Sequence, residues 1–496
     1  MRRARRTTAF TLAAFVAASG QGACDAPLDD AREREIVSVL VEADESLILT
    51  RPALVADKYR SMAKDPFSFL RGSFPLFLHD ARAGNVAPTS AFHVEAYPRS
   101  IGDAHVENFG TLRASDATFA IEPNDFDAAD RYPYLWEVRR LGVAIVVAAR
   151  QSNPTDEDAR AAAAAEARSY ARTFARAYAD TIIAIRDSGE RPRLTEAGAS
   201  TVLEDAFDRS VRDEANRREL VERTIVTDGV RTLKRGGIDE DDPLNVYVDA
   251  PEIAWTAFDG TLARYRTTLL DPPPASFFVV KDATREFGAG VASIPRLRFA
   301  LLVEGPTTSL DDDVILELKE LADSPARPVA PPGPSSDSVG ERVLDAARIC
   351  WSRPDAEPLW GNSDLLGLPV QIKGDFDAFK TLRVHRLEED RGTPEALDGM
   401  AHALGVVLAS VHAGSESVDE GIVDTIADTI ATDPDSFADE QADVCVAYAD
   451  VVAADHARFV HALSTLGPTL GLEPGPDDAL STDMTALVGH PPSESP

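Results

Sequence analysis

The stretch GDAHVENFG, residues 102–110, is followed after about one hairpin by NDFDAAD, residues 124–130. Together they set Asp103, Asn108, Asp125 and Asp127 on two turns. An aspartate, an asparagine five residues later and another aspartate beyond a hairpin supply the oxygen donors of a phosphoryl-transfer site. Asp103 is expected to accept or position a substrate hydroxyl. Asn108 and Asp125 are expected to hold Mg2+, with Asp127 as a second ligand or a structural cap. Asp and Asn also populate turns for the sake of their own backbone hydrogen bonds, so the combination carries the reading, not any single residue. His105 is expected to hold the turn through a backbone hydrogen bond rather than to bind a metal.

Working outward, FGTLR and ATFAIEP read as a strand pair broken by the turn ASD at 114–116. WEVRRLGVAIVVAAR, 136–150, reads as a buried helix, and the alanine-rich stretch 156–187 as one long amphipathic helix. Helical patterning is expected to run on to about residue 235. Near 270 the character changes. FFVVKDA, LRFALLVEG, VILELKE, LPVQIKG and KTLRVHRLEE read as strands, with GERVLDAARICW a helix among them. From 393 the chain is helical again. This order predicts an α+β fold. Its expected parts are a leader (1–24), a catalytic-turn and helical region (25–265), a strand-rich region (266–390), a C-terminal helical region (391–470) and a loose tail (471–496).

The strand-rich region offers a second half for the site. Gly288 and Gly290 in FGAGVASIP fall on a turn between strands, where backbone N–H groups can approach phosphates. Lys319 lies in an otherwise apolar strand and could neutralise those phosphates. Glu341, opening the next helix, is its candidate acidic partner, or else a first-turn residue favoured by the helix dipole. Arg71, in an apolar stretch, is expected in a structural salt bridge, with phosphate contact as the second reading.

The composition, 44% hydrophobic and 27% charged, is that of a globular chain. A net charge of −33 sets aside nucleic acid and anionic lipid as general partners, and a site for phosphates must be locally basic or metal-loaded. Arg2, Arg3, Arg5 and Arg6 precede a short apolar run, 9–18, in the build of an export signal too short to span a bilayer. Cys24 stands where a lipid anchor would attach, but Gln21 replaces the usual leucine, so a lipoprotein signal and an ordinary cleaved signal both stay open. Either predicts an exported protein, periplasmic or anchored only through Cys24. Cys350 and Cys445 are left for one disulfide or for two buried thiols.

DPFSFLRGS, GDAHVENFG, NDFDAADRYPYLWEVRRL, VKDATREFGAGVAS, ELKEL, GERVLDAARI and AYADVVAADHARF, in this order, resemble the uncharacterised bacterial family numbered 2252 among the domains of unknown function. The resemblance runs from about residue 55 to 465. That family is in turn similar to the protein-kinase-like superfamily, especially aminoglycoside and choline phosphotransferases. The resemblance implies a two-lobed fold with a large helical lobe and a small antiparallel-sheet lobe. It implies ATP and Mg2+ as cofactors, Asp103 as catalytic aspartate, Asn108 and Asp125 as metal ligands, Lys319 as phosphate lysine, and Gly288 and Gly290 in the glycine loop. Ile101 departs from the histidine of the catalytic motif. Glu137 replaces an aspartate, and Ala292 and Pro295 stand where the family tends to have glycine. The glycine loop and Lys319 follow the catalytic turn instead of preceding it, which implies a circularly permuted order.

Three functions follow as expectations. The first is a Mg2+- and ATP-dependent phosphotransferase or related nucleotidyl transferase with an unassigned acceptor. The second is an exported, non-catalytic binding module on a degenerate kinase-like fold. The third and weakest is a metal phosphoesterase, suggested by Asp103-x-His105 but lacking a later Gly-Asn-His cluster, since Gly361-Asn362 is followed by serine.

Overall fold

The computed structural model describes residues 28, 30–87, 89–152, 157–196, 201–237, 245–325, 338–375, 377–387, 393–475 and 482–488. The basic leader and Cys24 lie outside them. Four helices open the chain: α1 (Ala31–Thr50), α2 (Pro52–Met62), α3 (Pro66–Gly72) and α4 (Phe74–Arg82). Asp30 and Asp65 cap α1 and α3 by accepting from the backbone N–H groups of Arg32 and Ser68. Prolines fill the first turns of α2, α3 and α4, where a missing N–H costs nothing.

The GDAHVEN turn, 102–108, then sits between short strands: β1 (Arg99–Ser100), the hairpin β2 (Phe109–Arg113) and β3 (Phe119–Pro123), and β4 (Asp130–Arg131), which pairs with β1. Next comes α5 (Tyr134–Gln151), buried on every side. The stretch expected to form one alanine-rich helix is two, α6 (Glu157–Ala165) and α7 (Ala167–Ser188), which break at Glu166.

The helical run expected to reach 235 stops sooner. After α8 (Thr201–Asn216) and α9 (Arg218–Arg223), β5 (Thr224–Thr227) and β6 (Val230–Leu233) form a hairpin. Its turn is Asp228-Gly229, both at positive φ (52° and 79°), the geometry that matches strand twist in two-residue hairpins. β7 (Gly236–Gly237), β8 (Val246–Asp249) and α10 (Glu252–Arg266) follow.

The main sheet joins β7 and β8 to β9 (Val280–Phe287), β10 (Arg298–Val303), β11 (Val314–Glu320), then α11 (Val339–Cys350), β12 (Gly361–Leu365) and β13 (Leu368–Gly374). Its seven strands run in the order β12-β13-β11-β10-β9-β8-β7, each pair antiparallel. KTLRVHRLEE, expected to be a strand, makes among its described residues one bridge, Thr381 to Gly110, and a 3-10 turn at Val384–Leu387. That segment is tied to β2 instead, with the Thr111 N–H donating to the Lys380 carbonyl at 3.2 Å and the Leu382 N–H to the Phe109 carbonyl at 2.9 Å.

Four more helices close the chain: α12 (Pro394–Ala413), α13 (Ile422–Ala431), α14 (Pro434–Leu466) and α15 (Thr482–Val488). α12 and its continuation to Ser417 are apolar and long enough to cross a bilayer, but 78% of the apolar window is buried, so it acts as a core helix. It approaches α7 so closely that a Cβ on Gly405 would stand 2.4 Å from the Phe174 carbonyl oxygen. Within the stretch expected as a loose tail, α15 buries Leu487 and Val488 in the core beneath the sheet, while 476–481 and 489–496 lie outside the described residues. Their i, i+3, i+4 spacing with Met484 gives the short helix one apolar stripe.

Two main cores result. One is helical, built on α5, α7, α12 and α14, and also takes in the GDAHVEN turn through Ile101, Val106 and Phe109. The other lies between α10 and one face of the sheet. Cys350 and Cys445 are both buried free thiols, so the disulfide alternative does not hold.

Candidate functional site

The GDAHVEN turn hangs from buried hydrogen bonds. Gly102 has φ +90°, and a Cβ there would stand 2.2 Å from the Ala128 carbonyl oxygen. Only glycine therefore lets the two turns press together. The Gly102 N–H donates to Glu137 Oε1 at 2.6 Å. Glu137 Oε2 meets His412 Nε2 at 2.9 Å, and His412 Nδ1 meets the Tyr178 hydroxyl at 2.8 Å. Glu137, His412 and Tyr178 are all buried, so α5, α7 and α12 jointly fix where the turn begins. Asn108 Nδ2 donates back to the Asp103 carbonyl at 2.8 Å, closing the turn, and the Asn124 N–H donates to the Asn108 carbonyl at 3.0 Å.

Asp103 is held by an arginine that the motif did not announce. Arg140 of α5 donates from Nε at 3.0 Å and from Nη2 at 2.6 Å to Asp103 Oδ1. Its guanidinium lies against Phe74 and Phe77, 5.3 and 5.2 Å from the ring centres. Burial pushes the Asp103 carboxyl above the ordinary aspartate range, against the pull of Arg140 and with a push from Asp125. A raised, oriented carboxylate is the better proton acceptor.

The second turn meets the sheet. Asp125 Oδ1 accepts from the Asp127 N–H at 3.1 Å, an Asx turn. Lys319 of β11 places Nζ 3.0 Å from Asp125 Oδ2 and 2.7 Å from Asp127 Oδ2. Against the cost of burial, Lys319 and the Asp127 N–H hold Asp125 well below its usual range. Burial and the Asp125 charge push Asp127 up, and the two carboxylates keep Lys319 charged, its own burial notwithstanding. Asp127 Oδ1 is buried without a hydrogen bond, a free acceptor at the centre of the site. Phe126 anchors the turn edge-on to Trp351 and Trp360. Arg342 of α11 donates to the carbonyls of Asp127 (3.0 Å), Ala322 (2.8 Å) and Ala129.

The turn between β9 and β10 has both predicted glycines at positive φ, Gly288 at 83° and Gly290 at 75°. A cavity of about 510 Å3 is lined by Gly290 to Ser293 on one wall and by Asp103, Asn108, Asp125 and Asp127 on another. Gly288 lies at the root of the turn, where β9 ends. Pro295 removes an N–H, and its carbonyl accepts from Arg51 Nη1 at 2.9 Å. Arg51 also pairs with Glu320 at 2.6 Å, and the Leu297 N–H donates to the same carboxylate. The glycine turn is thus tied to α2 and to the residue next to Lys319.

Glu341 is not where the Lys319 charge is met. It is exposed in the first turn of α11, with its N–H facing the Ser338 cap, while the ammonium goes to the two aspartates. Arg71 forms the expected salt bridge, 2.6 Å to Glu107, and also lines the cavity. His105 lines the same cavity. Its Nδ1 is buried without a hydrogen bond, and burial with Arg71 and Arg140 nearby keeps the ring neutral. Among the described residues no cluster of three or more His, Cys, Asp or Glu side chains is arranged around a metal position. Two carboxylates and an amide suit a Mg2+ ion that takes its remaining ligands from phosphate and water.

The family model for uncharacterised proteins conserved in bacteria, DUF2252, matches residues 50–462. The chain belongs to this family. The DUF2252 match covers both turns, the sheet and most of α14, so Asp103, Asn108, Asp125, Asp127, Gly288, Gly290 and Lys319 all lie inside it. No curated protein and no solved structure matches the chain.

Proposed function

We propose that this DUF2252 protein is a Mg2+-dependent transferase of the kinase-like type, moving a phosphoryl or nucleotidyl group from a nucleoside triphosphate to a hydroxyl-bearing acceptor. The observation that carries the reading is the contact of Lys319 with Asp125 and Asp127, made by segments 194 residues apart in sequence beside Asp103 and a glycine turn. Asp103 would take the acceptor proton as the acceptor oxygen bonds phosphorus and the bond to the leaving phosphate breaks. Arg140 keeps that carboxylate aimed. Lys319 would turn from the aspartates to the phosphate oxygens, and Asn108, Asp125 and Asp127 would hold the Mg2+ that offsets the remaining charge.

The path of the chain supports the permuted kinase-like order. A glycine hairpin, a lysine strand, a crossover helix and two more strands follow one another from β9 to β13, and the chain then crosses onto β2 beside the catalytic turn. Chemistry argues against the phosphoesterase reading: Asn362 lies on β12 bonded to Thr268, off the cavity wall. The test is a thermal shift with Mg2+ and ATP, GTP or another triphosphate. A Mg2+-dependent rise in melting temperature is expected, and no shift with any nucleotide overturns the proposal.

A further inference from the structure

Two directions lead away from Lys319 and Asp125 for the base of a nucleotide whose phosphates bind there. One runs along the sheet face that carries Lys319. Side chains two apart share a face, so Glu317 and Ile315 come next. Glu317 is paired to Arg298 and lies 3.5 Å from Lys373. Beyond it, Ile315, Ala300 and Leu302 are buried under Leu220 of α9, Leu233 of β6 and Tyr247. α9 is fastened there: the Glu219 N–H donates to Asp377 at 2.8 Å, and Arg223 pairs with Asp375. A flat base has no slot on this face, and opening one would leave buried charges unpaired.

The other direction is open. The cavity runs from the aspartates past the glycine turn to α1 and α4, where Val39, Leu47 and Leu78 form aliphatic walls. Its volume, about 510 Å3, suits a nucleotide-sized ligand. Polar groups also line this part of the cavity. Lys58 donates to both Asp44 oxygens at 2.8 and 2.6 Å in a buried pair on the wall. His105 Nδ1, buried and without a partner, belongs to a side chain lining the same space.

We infer that the nucleobase of the substrate binds between α1, α4 and the glycine turn, not against the sheet. The inference rests on the transferase reading and adds where specificity for a nucleoside, as against bare polyphosphate, is built. α1 and α4 are the specificity elements, and the segment after β13 packs α9 in place of a base.

The experiment titrates Mg2+·ATP and Mg2+·tripolyphosphate into the full chain and into Ala43→Trp, an exposed α1 position on the cavity wall. ATP affinity is expected to fall about tenfold or more while tripolyphosphate affinity stays within about twofold. Loss of neither, or equal loss of both, overturns the placement and leaves the transferase reading standing. Photolabelling of the unmodified protein with azido-ATP is the second measurement. Label in α1 or α4 supports the inference, and label in β10, β11 or residues 220–233 overturns it. An unmodified protein that binds neither ligand removes the transferase reading and the placement together.

Discussion

Lys319 sets its ammonium 3.0 Å from Asp125 and 2.7 Å from Asp127, so one cation balances two carboxylates that face each other across a turn. Lys319→Met leaves those carboxylates to repel. Each is about a third exposed, so solvent softens the loss, and a destabilisation of about 1–3 kcal/mol is expected in urea unfolding. Mg2+ can then take the place of the missing charge. Addition of Mg2+ should stabilise Lys319→Met more than the parent protein, and equal stabilisation would remove the ion from this site.

Asp103 predicts the acid limb of activity. Its carboxyl is raised by burial, and only the ionised form accepts a proton. Once a substrate is found, kcat should fall as pH drops through a value above the ordinary aspartate range. Asp103→Asn should lose about 100- to 10,000-fold in kcat with its fold intact. A pH profile that is flat over the whole acid side would take Asp103 out of the base role.

Glu137 predicts a graded pair of variants. Glu137→Ala strands the Gly102 N–H and His412 in a dry interior, at a cost of about 1–3 kcal/mol for each lost partner. Glu137→Gln can still accept from Gly102 and donate to His412 Nε2 if the imidazole takes the tautomer with its proton on Nδ1, which then donates to the Tyr178 hydroxyl oxygen. The melting temperature should therefore fall much further for alanine than for glutamine. Equal falls would mean that shape, not hydrogen bonding, holds the turn.

Glu357 predicts a pH dependence of stability. It is 2% exposed. Burial pushes it up to about 8 from the usual 4.5, with Lys373 and the N–H groups of Leu359 and Gly374 only partly offsetting the shift. The folded state therefore keeps a proton that the unfolded chain releases. This contribution to stability is full below the unfolded value and is lost as pH rises through about 8. Relative to the parent, Glu357→Gln should gain melting temperature between about pH 5 and pH 9. No relative gain would place the proton elsewhere.

The two turns were legible because their chemistry is local. Asp103 and Asn108, and then Asp125 and Asp127, need only a hairpin between them to meet. Lys319 could be singled out by its place in an apolar strand, but its partner could not. The expected acid was on the next helix, whereas the chain folds the lysine onto the turn it follows by 194 residues. Arg140, an arginine in an apolar helix, is the one sequence signal of the anion it holds, Asp103. The bond from Glu137 to His412 spans 275 residues and has no local signature. The β5–β6 hairpin did have one, Asp228-Gly229 between β-branched residues, but a helical pattern was carried across it. KTLRVHRLEE has the alternation of a strand. Its described residues bridge β2 at Thr381 instead of extending the sheet, because β13 already leads the chain back to the turn at 102–108.

Calorimetric titration of Mg2+ and ATP into the protein and into Asp125→Asn tests the central claim most directly. Saturable, Mg2+-dependent binding that the single substitution abolishes is the predicted result. Binding that survives in Asp125→Asn, or no heat with any nucleoside triphosphate, would contradict a nucleotide site built on Lys319 and Asp125.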